Sequence, residues 1–281
     1  MPLMTLDKDA VKHPERSSLG LCVDRGALHV MVCDAVSDTL VIYSKLVLDL
    51  SLGSTAKALE EVVYNNPVLL SDFKKVSVSL RSSRFSLLPD EMFESGPEFA
   101  EAVAEASFID DDAEQLCPLE VAVKGSGCTL MVKEERDLVD FIRRTFNNPD
   151  IVHPLSVLAG YFIKSSSSLG AVGRMFVHLY DRSLDIVIFG DNGPALLNSF
   201  SFSDPMDAVY YIMASRSVLG LEQTEGELYL SGDADVREAI TPVLREYLGY
   251  VMPLVVPAPI IKAGPDIQDA PFDLKLMMLC E

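Results

Sequence analysis

Two short acidic turns carry most of the chemistry this sequence could perform. Asp24-Arg25-Gly26 separates the apolar runs Leu19–Val23 and Ala27–Asp34, and Asp181-Arg182-Ser183 separates Met175–Tyr180 from Leu184–Phe189. Aspartate is a good turn former because its side chain bonds nearby backbone, so either turn alone needs no function. As a pair at matching points of similar segments, Asp24 and Asp181 become candidates for a shared ligand. Arg25 and Arg182 would bind an anion there or pair with neighbouring carboxylates. Nuclease chemistry would need clustered carboxylates around two metal ions, and Asp24, Asp34, Asp181 and Asp185 supply that residue type.

Other chemistries find less support. His29 and His178 fall in strand-like runs, His153 precedes a proline, and His13 sits in the polar start, none with a partner at ligand spacing. The sequence has no Gly-x-Ser-x-Gly elbow, Walker loop or Gly-x-Gly-x-x-Gly. Gly125-Ser126-Gly127 reads as a hairpin turn, and Asp110-Asp111-Asp112 as a solvated loop.

The 281-residue chain carries a formal charge of −19, which argues against nucleic acid and against an anionic membrane surface. No run approaches the ~18 apolar residues a spanning helix needs. Met1–Arg16 is charged and has no apolar segment of the signal-peptide kind. Five cysteines without a C-x-x-C pair, with Cys22 and Cys33 inside apolar runs, read as reduced, structural thiols. The expected location is cytoplasmic.

The elements that position the turns occur twice. In the first half three antiparallel strands end near Leu50, a helix runs from Ser54 to Tyr64, and a fourth strand covers Val76–Leu80. In the second, a meander ends at Phe202, Asp204 caps a helix, and Leu228–Leu230 makes the fourth strand. Each half closes with an amphipathic helix, Glu134–Phe146 or Asp235–Leu248, a short strand and Pro-Leu (Pro154-Leu155, Pro253-Leu254). The expected organisation is a polar lead-in over 1–18, a first lobe over 19–168 with an insertion at about 84–131, and a second over 169–281. Val255–Pro259 should be extended, and Leu274–Leu279 should pack back on the body or offer a docking strand.

This duplicated order of three antiparallel strands, helix, strand, helix, strand resembles the ribonuclease H-like unit. Two in tandem resemble the actin-like ATPase superfamily of sugar kinases, heat-shock chaperones and actin. The layout looks most like its pilus-assembly and cell-division branch, and like an uncharacterised bacterial family with that fold. The resemblance implies an α/β fold of mixed sheets flanked by helices, with a small insertion in the first lobe.

The resemblance also implies that ATP and Mg²⁺ would lie between the lobes. Asp24 and Asp181 would position the metal, and the turns Asp24-Arg25-Gly26 and Asp181-Arg182-Ser183 would cradle phosphate. Leu228–Asp233, ending in Gly232-Asp233, would underlie the adenosine. Three departures weaken this match: Ala27 and Leu28 stand where a hydroxyl or glycine usually follows, Ser183 replaces one glycine, and Asp233 replaces another. The expectation is a binding or scaffold protein with a protein partner and no turnover. The alternative is an active Mg-dependent ATPase or phosphotransferase.

Overall fold

One strand order is built twice. The computed structural model describes residues 11–24, 26–34, 41–94, 96–106, 115–166, 173–191, 193–221 and 226–280. In the first half β1 (Ser17–Asp24), β2 (Ala27–Asp34) and β3 (Val41–Val47) form an antiparallel meander, and β4 (Lys75–Leu80) joins β1 in parallel. In the second half β9 (Met175–Leu179), β10 (Ser183–Gly190) and β11 (Gly193–Ser201) form the meander, and β12 (Leu228–Gly232) lies parallel to β9. Short parallel strands, β8 (Asp150–Val152) and β13 (Val251–Pro253), complete the orders β3-β2-β1-β4-β8 and β11-β10-β9-β12-β13. Val76–Leu80 and Leu228–Leu230 thus take equivalent places.

Helices cover each sheet for reasons the residues state. In α1 (Thr55–Asn65), Ala58, Leu59, Val62 and Val63 fall on one face and are buried. Ser54 caps it by accepting from the Lys57 amide. It packs beside α4 (Arg136–Thr145), which buries Leu138, Val139, Phe141 and Ile142. In the second half α6 (Pro205–Val218) starts at an Asp204 capping box and packs beside α7 (Ala234–Tyr247). Every residue of β9 is buried, as expected for a strand covered on both faces.

Between β4 and α4 lies the expected insertion. It contains β5 (Phe85–Pro89), α2 (Glu91–Glu94), α3 (Pro97–Ala106), β6 (Leu116–Val123) and β7 (Cys128–Glu135), with sheet order β5-β7-β6. Leu88 and Met131 centre a small core there. Asp110–Asp112 lie outside the described residues.

The compact units differ from the expected lobes. One comprises residues 1–122, 129–157 and 257–281, and the other comprises 123–128 and 158–256. The change at 158 falls inside α5 (Pro154–Ser166). The C-terminal segment, expected in the second lobe, belongs to the first unit. It is neither extended throughout nor a docking strand: it forms α8 (Ala258–Lys262) and α9 (Phe272–Leu279). α9 packs on β1, burying Leu274, Leu276 and Met277, because Gly20 leaves room for it. The end of the lead-in is also ordered, with Val11 buried and a 3-10 turn at Pro14–Arg16.

Candidate functional site

The β1–β2 hairpin closes with Asp24 opposite Ala27, and Gly26 lies in its turn. Arg25 lies outside the described residues. Gly26 turns at φ +80°, and a Cβ there would meet nothing within 4 Å. Such an open glycine lets backbone approach an anion, which a side chain would hinder. Asp24 is exposed beside it. Alternation along β1 puts Asp24 on the face of Gly20 and Cys22, the face α9 covers.

The second hairpin is one residue out of step with the first. The Tyr180 amide donates to the Ser183 carbonyl at 2.8 Å, and Leu179 stands opposite Leu184. Its two-residue turn is therefore Asp181-Arg182. Tyr180 takes the register place of Asp24, and Arg182 that of Gly26. The expectation that Asp24 and Asp181 occupy matching points is corrected accordingly.

A one-residue shift matters because successive strand side chains face opposite ways. Asp181 and Arg182 are 91% and 77% exposed, with Arg182 Nε 3.8 Å from Asp181 Oδ2. Such a surface pair contributes little. Asn148 alone among described non-glycine residues has positive φ, so Arg182 does not adopt the conformation of Gly26. Ser183 is half-buried and opens β10 opposite Ser201.

Gly232 and Asp233 have local structural roles. A Cβ on Gly232, whose φ is +91°, would overlap the Leu179 carbonyl oxygen, so close approach of β12 to β9 demands glycine. The Asp233 amide donates to that same carbonyl at 2.8 Å. Its carboxylate accepts from the Val236 amide at 2.9 Å and caps α7. Gly26 thus leaves its backbone open, whereas the second unit does not reproduce that turn, and no ATP chemistry is derived through either.

The nuclease arrangement does not form. Asp24 and Asp34 end opposite termini of the β1–β2 ladder, and Asp34 pairs with Arg16 at 3.3 Å. Asp185 is buried and accepts from the Tyr180 hydroxyl at 2.9 Å and the Ser199 hydroxyl at 2.5 Å. Among the described residues no group of three or more His, Cys, Asp or Glu could hold a metal.

Sequence reasoning missed buried polar contacts at equivalent sheet places. Cys22 stands opposite Ser79 on β1 and β4, and His178 opposite Ser231 on β9 and β12. Ser79 donates to Asp273 Oδ2 at 2.7 Å, and the Cys22 thiol lies 3.8 Å from the same oxygen. Burial, then the charges of Asp273 and Asp24, push the Cys22 thiol up, away from nucleophilic reactivity. In the second unit His178 Nδ1 lies 2.9 Å from Ser231 Oγ. Asp273 carried one available signal, an acidic residue in the first turn of a mostly apolar helix. All five cysteines are free.

The family model described as Protein of unknown function (DUF3822) matches residues 7–251. A Bacteroides thetaiotaomicron protein with actin-like ATPase fold and unknown function is 19% identical. The similarity covers 95% of this chain and 97% of that one, with a TM-score of 0.77. A chain of the PilM-PilN type IV pilus biogenesis complex is 12% identical over 95% of this chain and 96% of that one, with a TM-score of 0.56. No curated protein matches the sequence.

Proposed function

The chain belongs to the DUF3822 family and carries the actin-like ATPase fold, and from that premise we propose that it is a protein-binding module without ATP turnover. The observation that carries this reading is the slipped second hairpin. Phosphoryl transfer needs preorganised backbone donors and metal-positioning carboxylates on the reacting group. Tyr180 stands in the register place of Asp24, and Arg182 in that of Gly26. The similarity to a chain of the PilM-PilN complex supports a protein partner. Five free thiols support a reducing compartment such as the cytoplasm.

The open Gly26 turn favours a second reading, in which a nucleotide binds through the first hairpin without being hydrolysed. One experiment addresses both. Labelled ATP and Mg²⁺ are given to the purified chain and to an Asp24→Ala, Asp181→Ala double variant. Melting curves are recorded alongside, because a ligand at ~100 times its Kd adds ~2.7 kcal/mol. The expected hydrolysis equals that of the double variant, and turnover well above it overturns the proposal. A melting shift in the parent chain alone selects the second reading.

A further inference from the structure

In the second unit a groove of about 310 Å³ runs along α7 beside β12 and β13. Leu230 and Met252 lie on its strand side, and Arg237, Pro242 and Arg245 stand on its helical wall. These arginines lie on one stripe of α7, at i and i+8, with Thr241 between them. No ion pair holds either guanidinium among the described residues, although Arg245 Nη2 donates to the Val251 carbonyl at 3.3 Å. On a chain of net charge −19, a groove with two arginines and one glutamate, Glu238, stands out electrostatically.

Two further features define what the groove would accept. Pro242 lies inside α7 and has no N–H for the Glu238 carbonyl, so that helical bond is missing on the groove wall. The outer edge of β13 is poorly suited to strand addition, since Pro253 lacks an N–H and Arg245 takes the Val251 carbonyl. Recognition there must come from side chains. Tyr250 and Val255, 60% and 81% exposed, flank β13 in the chain.

We infer that this groove binds an extended acidic peptide, with two carboxylates four residues apart and an apolar side chain between them. Eight residues of helix rise ~12 Å, and four residues of extended chain span ~13 Å. One carboxylate therefore reaches each arginine while the intervening side chain meets Met252, which is half-buried. The inference rests on the reading of this chain as a protein-binding module and names the partner's chemistry.

The test selects a displayed library of random 12-residue peptides on the full chain. Fluorescence anisotropy then measures enriched peptides against the chain, an Arg237→Glu variant and an Arg237→Glu, Arg245→Glu double variant. Arg237 makes no described side-chain bond, so the single variant should fold if the double variant does not. The expected peptides carry the paired acids, and their binding weakens at least tenfold on R237E. Failure to enrich any peptide, enrichment without paired acids, or binding to R237E within twofold overturns the inference. Peptides that bind well but ignore R237E would leave the protein-binding reading standing, whereas ATP turnover would overturn that reading without touching the groove.

Discussion

Ser79 donates a 2.7 Å hydrogen bond to Asp273, a buried carboxylate 194 residues further along the chain. This bond ties the C-terminal helix to β4, the neighbour of the central strand β1 in the first unit. Asp273→Ala leaves the Ser79 hydroxyl and the Cys22 thiol without their shared acceptor. Loss of a hydrogen bond to a charged group should cost about 1.5–3 kcal/mol, read as a lower urea midpoint at unchanged m. A midpoint unmoved by the substitution would mean that α9 is held by its apolar residues alone.

Gly20 is the seat on which α9 rests. A Cβ there would overlap Met278 Sδ and lie 2.9 Å from Leu274 Cδ1. Gly20→Ala should destabilise by about 1–3 kcal/mol through overpacking. Met278→Ala on that background should restore part of the loss, because the flexible methionine is the nearer obstacle. Additive losses in the double variant would contradict this packing.

Gly26 and Gly232 both have positive φ, but only Gly232 is enclosed. Gly26→Ala should cost about 1–2 kcal/mol, the strain of a left-handed non-glycine residue. Gly232→Ala adds a clash with the Leu179 carbonyl and should cost more, or prevent folding. Equal losses at the two sites would remove the distinction between an open turn and a packed crossing.

Asp233 is read as a helix cap. Asp233→Ala should cost about 1 kcal/mol, and Asp233→Asn much less, since asparagine caps equally well. Chemical denaturation decides this, and equal losses for alanine and asparagine would show that the Val236 bond is not the reason for Asp233.

His29 sets an acid limit. Burial, then Lys45, hold its imidazole below the ordinary value, against a smaller upward pull from Asp24. The unfolded chain therefore takes up the proton first. Stability is complete above the unfolded value of ~6.5 and falls as pH drops from there towards the folded value. His29→Gln should flatten that part of the profile in denaturation between pH 7 and 5. An unchanged slope would assign the acid response to other groups. At the alkaline end burial pushes Tyr43 up to about 12, so its contribution is lost as pH rises from ~10 towards that value.

The repeated element order and the cap at Asp204 were legible in the sequence, because they follow from local periodicity and turn chemistry. Hairpin register was not. Asp24-Arg25-Gly26 and Asp181-Arg182-Ser183 align by residue type, yet the ladders close on Asp24 and Ala27 in one unit and on Tyr180 and Ser183 in the other. The Pro-Leu echo fails similarly: Pro253 pairs with Leu230 inside β13, whereas Pro154 begins α5 beyond β8.

Local composition determined which segments became strands, helices and turns, since spacing fixes which faces are apolar. Tertiary structure decided the register of each ladder, which follows from the packing of whole faces rather than from the turn. It also decided where the C-terminal segment went. Helix or strand was open for the short apolar run Leu274–Leu279, and its place depended on Gly20, Cys22 and Ser79 meeting it from more than 190 residues away.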